Sequence, residues 1–149
     1  MEPNLKPADW VLLAIDASSA KSLSPVQLQK ALFLFTRNLD SAQRMTSSFY
    51  QFEPYDYGPF DRTVYDDAEA LEKSGYIVID CPHSTGRRRY SATAAGSQRA
   101  ASIRESLRLE TREYLDRVVA WMTGLTFNGL VKAIYKEYPE MRVNSVFQD

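Results

Sequence analysis

Reactive side chains are scarce in this chain, which has one cysteine and one histidine among 149 residues. Cys81 and His83 flank Pro82, and in extended chain both point to one side with Asp80 on the other. A nucleophilic thiol needs a base that is held by an orienting group, and a metal site needs three or four ligands. The Cys81 and His83 pair supplies neither, so it reads as part of an exposed loop, and no catalytic residue is expected. Asp66, Asp67 and Glu69 form the other candidate cation cluster, but helical spacing puts Asp66 and Glu69 on one face and turns Asp67 away. A solvated acidic face accounts for them. The six glycines are scattered without the GxGxxG spacing that cradles a phosphate. No metal and no cofactor is implied, and the expectation is a protein that is not an enzyme.

Arginine carries more information. From Pro82 to Arg112 the bases are Arg87, Arg88, Arg89, Arg99, Arg104, Arg108 and Arg112, against the acids Glu105 and Glu110. Guanidinium groups make bidentate contacts to phosphate or carboxylate, so Arg87, Arg88 and Arg89, with Arg62 and Arg99, are the candidate nucleic-acid-binding residues. In a strand Arg87 and Arg89 share a face while Arg88 takes the opposite one. Between Asp61 and Ser74 the balance reverses, with Asp61, Asp66, Asp67, Glu69 and Glu72 against Arg62 and Lys73. The whole chain has a formal net charge of −1 and a pI near 5.9, well short of the basic footprint of a nucleic-acid-binding domain. Any such affinity must therefore be local. The aromatic run Phe49, Phe52, Tyr55, Tyr57 and Phe60 has residue types that stack on bases, yet it is better suited to filling a small core.

The elements that place these residues can be read from caps and periodicity. After a short arm from Met1 to Pro7, Trp10, Val11, Leu12, Leu13 and Ile15 predict a first helix. Ser24-Pro25 is a start signal for a second, with Leu28, Leu32, Phe33 and Phe35 on its apolar face. Extended chain with a tight turn at Gly58-Pro59 follows, and Asp61 caps a third helix that stops at Gly75. Tyr76 to Ile79 reads as a strand and Arg87 to Ala92 as its partner, joined by a loop through Ser84, Thr85 and Gly86. Thr93 caps a long helix that runs to Gly124, and Thr126 caps a last one that ends before Pro139. The tail from Met141 to Asp149 is apolar enough to pack.

Two families share parts of this pattern. Leu71-Glu72-Lys73-Ser74-Gly75-Tyr76-Ile77, followed by Gly86-Arg87-Arg88-Arg89-Tyr90-Ser91-Ala92-Thr93-Ala94-Ala95-Gly96, resembles the wing of PadR-like and MarR-like winged-helix regulators. The resemblance covers about forty residues. It implies a third helix in the major groove, a wing on backbone or minor groove, and a homodimer built by the C-terminal helices. The acidic third helix departs from that pattern, because phosphates would repel it. A second likeness, to the SocA-type antitoxin domain called Panacea, lies in Tyr57-Gly58-Pro59-Phe60 and Gln29-Lys30.

The expected fold is thus α+β and mostly α: a winged helix-turn-helix with a two- or three-stranded antiparallel wing over residues 1–96 and a helical extension over 97–149. Leu107, Tyr114, Leu115, Val118 and Met122 line one face of the long helix and are the candidate dimer interface. The expected function is a homodimeric transcriptional regulator binding double-stranded DNA through its wing arginines. The alternative is a protein-interaction module that binds a protein partner in an antitoxin or phage-defence setting. Lacking a signal segment, a membrane span or a disulfide, the chain is expected in the cytoplasm.

Overall fold

The computed structural model describes residues 4–81 and 87–147. Its first helix, α1 (Pro7–Ala17), is the centre of the molecule. Trp10, Val11, Leu12, Leu13, Ala14 and Ile15 are each at most 1% exposed, so apolar residues cover the helix on all sides. Such a helix is stable only when surrounded, and several later elements of the chain pack against it. Asp9 fixes its start by accepting from the Lys6 N–H at 2.9 Å. The Trp10 indole N–H donates to the Arg44 carbonyl at 2.8 Å, tying the helix to the next turn of chain.

A short 3₁₀ turn (Ser19–Lys21) leads to α2 (Pro25–Asn38), which begins as its sequence predicts. The Ser24 hydroxyl accepts from the Gln27 N–H at 3.2 Å, and the Gln27 side chain accepts from the Ser24 N–H at 2.9 Å. This reciprocal cap is worth about 1 kcal/mol. A brief helix α3 (Ser41–Arg44), capped by Asp40, was not expected from the sequence. The aromatic stretch then forms a hairpin of β1 (Glu53–Tyr55) and β2 (Gly58–Phe60), with Tyr55 opposite Gly58. Gly58 has φ +115°, a conformation L side chains rarely adopt, and that allows the tight turn.

Asp61 caps α4 (Arg62–Lys73), which ends at Gly75 with φ +86°. Strands β3 (Ile77–Asp80) and β4 (Arg89–Ala92) pair antiparallel, with Ile79 opposite Tyr90 and Asp80 opposite Arg89. Leu23 adds a single bridge to the far side of β4, exchanging 3.0 and 2.8 Å hydrogen bonds with Tyr90. The ribbon is therefore two-stranded with one extra rung. β4 starts at Arg89 rather than Arg87, and the expected Pro82 to Gly86 loop, with His83, lies outside the described residues.

The expected long helix is two helices, α5 (Ala94–Ser106) and α6 (Leu109–Thr123). Leu107 takes extended backbone between them, and its side chain, 4% exposed, is buried at the corner. Burying that leucine and turning α6 back over α1 and α2 outweighs continuing one straight helix. α7 (Phe127–Glu137), capped by Thr126, closes the bundle, and a 3₁₀ turn (Pro139–Arg142) leads to the tail. There the Val146 N–H donates to the Asp56 carbonyl at 2.9 Å, and Asn144 donates to the Pro54 carbonyl at 3.2 Å. The tail thus packs on the β1–β2 hairpin.

Helical wrapping changes the meaning of the stripe assigned to dimerisation. Leu107, Leu115, Val118 and Met122 are buried within the chain, where α6 lies on α1 and α2. Tyr114 is half-buried, with its ring 6.4 Å from that of Phe35 and its hydroxyl accepting from Asn38 at 2.8 Å. These five residues build the monomer's core and leave no apolar face of their own for a second copy. One hydrophobic cluster joins residues on both sides of position 96, so the core shows no division there.

Candidate functional site

Arg89, at the start of β4, turns toward the α1–α2 connection: its Nε donates to Ser22 Oγ at 2.9 Å and its guanidinium to the Lys21 carbonyl at 2.7 Å. Arg88 takes the other face, as alternation predicts. Its charge acts on Tyr65 and Tyr90. Burial pushes the Tyr65 hydroxyl up to about 12, with Arg88 opposing. Burial also raises Tyr90, again against Arg88, while Glu69 and Glu72 of α4 reinforce the rise. Arg88 thus lies on the side of the ribbon that faces the acids of α4.

Arg87, Arg88 and Arg89 all contribute to the lining of a groove of about 920 Å³. Its other walls are the first turns of α2, at Ser24 to Gln27, and of α7, at Thr126 to Asn128. Each helix N-terminus has partial positive charge from its aligned peptide dipoles. None of the described residues lining the groove is a carboxylate. Tyr57 and Phe127 also line it, with rings 5.2 Å apart in an edge-on contact and 41% and 44% exposed. Sequence distance conceals this grouping, since positions 24, 57, 87 and 127 meet only in three dimensions.

Arg62 and Arg99 are not in the groove. Arg62 is exposed on the first turn of α4. Arg99 pairs with Asp9 at 3.5 Å and lies over the Tyr76 ring at 5.3 Å. Arg104 holds Asp116 with bonds of 3.0 and 2.7 Å. Two of the seven arginines between Pro82 and Arg112 are thus paired with acids from other elements.

The acidic cluster also separates in three dimensions. Asp67 accepts from the buried Tyr50 hydroxyl, whose pKa is raised by burial first and by that hydrogen bond second. Glu72 accepts from the Ile79 N–H at 2.8 Å. Asp66 and Glu69 remain exposed on α4. Among the described residues, no group of three or more His, Cys, Asp or Glu side chains is placed to hold a metal ion. Cys81 is exposed, and its sequence partner His83 lies outside the described residues.

A second concave site was not read from the sequence. Lys30 of α2 is 1% exposed and donates to the Tyr57 carbonyl, while Gln29 holds the backbone of Asp61 through both ends of its amide, each bond 2.9 Å. A cavity of about 140 Å³ opens beside Lys30, walled by Val26, Tyr55, Pro59, Phe60 and Tyr65. Burial lowers the Lys30 pKa to about 7. The signal available in the sequence was Gln29-Lys30 set within the otherwise apolar helical stretch from Leu28 to Phe35, where buried polar residues need tertiary partners.

In comparisons with known proteins, no family model, no curated protein and no solved structure matches this chain. Among the described residues, no helix is long and apolar enough to cross a membrane.

Proposed function

We propose that the protein is a non-enzymatic protein-interaction module on a winged-helix framework, whose arginine-lined groove docks an acidic segment of a partner protein. The observation that carries this is the groove's composition: three arginines, two helix N-termini, two half-exposed aromatic rings and no carboxylate among its described lining residues. Arginine and tyrosine are the residue types that dominate binding energy at protein interfaces. Each carboxylate docked against a guanidinium contributes about 1 kcal/mol or less where water reaches the pair, and more where it is excluded. The exposed rings add apolar contact that a bare polyanion would not use.

The α2, α4 and β3–β4 order, with Leu23 bridging β4, supports the winged-helix assignment. It also supports a second reading, a DNA-binding regulator with the ribbon arginines on phosphate. Against that stands α4, the helix that would enter the major groove, because it exposes Asp66 and Glu69. Each unit charge about 8 Å from a phosphate costs roughly 0.5 kcal/mol even in water.

Fluorescence polarisation decides between them at near-physiological salt. A labelled peptide that alternates Glu with Leu and Phe, its Lys-for-Glu counterpart, and a random duplex are titrated with the native chain and with Arg88→Ala. Micromolar binding of the acidic peptide alone, weakened about tenfold in Arg88→Ala, is the expected result. Tighter binding of the duplex, with steep salt dependence, would instead establish the regulator, and binding of neither would remove both.

A further inference from the structure

Lys30 is the only lysine among the buried described residues. Its ammonium carries three donors, and among the described residues only the Tyr57 carbonyl accepts from it. Among the described residues it joins none of the ion pairs seen, such as Arg37 with Glu140, Arg99 with Asp9 and Arg104 with Asp116. The Gln29 amide beside it is engaged at both ends by the Asp61 backbone. A buried cation without an anion is costly, and proteins pair such groups or neutralise them.

The cavity beside Lys30 is mostly apolar and aromatic, and it reaches the surface where Tyr55 and Tyr57 are 52% and 41% exposed. We propose that this cavity binds a small monocarboxylate, whose oxygens take the two remaining Lys30 donors while its short apolar tail lies against Val26 and Phe60. The pairing supplies a counter-ion to Lys30, and the tail gains burial away from water. A second negative charge is disfavoured, because Asp56 also lines the cavity. The titratable groups lining the cavity with the amine are Asp56 and the hydroxyls of Tyr55, Tyr57 and Tyr65, and the Tyr135 ring approaches from α7 on the Gly58 side. Tyr65, pushed up to about 12 by burial, stays neutral at physiological pH. Burial brings Lys30 itself to about 7, so binding an anion at neutral pH draws a proton onto the amine.

Isothermal titration with propionate just below neutrality tests the site, with propionamide as the uncharged twin. The native chain is expected to bind propionate and not propionamide, with a heat that varies with the buffer's ionisation enthalpy because a proton is taken up. Lys30→Met keeps the side-chain volume and is expected to weaken binding by at least about tenfold. Arg117→Ala, at an exposed position of α6 that lines neither concave site, is expected to leave it unchanged. No binding at tens of millimolar, equal binding of propionamide, or unchanged affinity in Lys30→Met would each overturn the proposal. Should Lys30→Met fail to fold, NMR of isotope-labelled lysine side chains in the native chain replaces it. A Lys30 signal whose titration does not move upward with propionate is then the overturning result.

Discussion

Gln29 grips both backbone groups of Asp61: its amide nitrogen donates to the Asp61 carbonyl and its amide oxygen accepts from the Asp61 N–H, each at 2.9 Å. The same Asp61 uses its carboxylate to cap α4 through Thr63 and to hold the Gln51 N–H. A side chain 2% exposed on α2 therefore sets where α4 begins. Gln29→Leu is expected to leave two backbone groups without partners and to cost about 2–4 kcal/mol. Urea unfolding of the variant against the native chain measures this, with the m-value checked for constancy. A loss below about 1 kcal/mol would mean that the α2–α4 junction does not depend on the clasp.

Stability should follow pH in two opposed windows. Lys30 has a folded pKa of about 7 against an ordinary 10.5, so between these values the unfolded chain binds the extra proton. Stability then rises with pH from about neutrality toward 10, by at most about 1.4 kcal/mol per pH unit. Above about 10 the sign reverses. Burial raises Tyr50, Tyr65 and Tyr90 in the fold, so they ionise first in the unfolded chain and stability falls. Denaturation midpoints from pH 6 to 11 should therefore pass through a maximum near about 10, and Lys30→Met should remove the rising limb alone.

Two glycines separate a steric requirement from a conformational one. A Cβ on Gly96 would stand 1.9 Å from the Tyr76 carbonyl oxygen, which is backbone and cannot step aside. Gly75 has open space around it but sits at φ +86°. Gly75→Ala is expected to lose about 1–2 kcal/mol from the left-handed conformation. Gly96→Ala must displace the first turn of α5 from the ribbon, at about 3 kcal/mol or more. Thermal melts of both variants give the ranking, and an equal loss would contradict it.

The inward stripe of α6 makes a prediction about assembly. Leu115 is fully buried, so Leu115→Ala is expected to cost about 2–5 kcal/mol as a cavity. Leu115→Asp should yield unfolded or aggregated protein. Were this residue at a dimer interface, the Asp variant would be a folded monomer on a sizing column with light scattering, and its circular dichroism would stay native.

Features legible in the sequence are those that one local signal decides. Ser24-Pro25, Asp61, Gly75, Thr93 and Thr126 mark element ends because a cap or a left-handed glycine acts within a few residues. The break at Leu107 was not legible, since no proline or glycine stands there. Tertiary burial of one leucine ends α5, and the chain on either side is good helix. The β1–β2 hairpin was read only as extended chain with a turn, because Pro54 and Pro59 sit opposite each other and disguise a strand pair. As for the candidate sites, the arginine triplet and its alternation were visible. The second helix N-terminus and Tyr57 with Phe127, which complete the groove, were not, because nothing local links them.

The central position of α1 has a consequence for how the chain reaches this fold in a cell. Trp10 through Ile15 are synthesised before α6, which covers one flank of that helix and follows about ninety residues later. At roughly 5–20 residues per second the most apolar segment waits several seconds for its cover. During that interval the nascent chain is a substrate for chaperones, and a ribosome-bound product halted before α6 should be held by them.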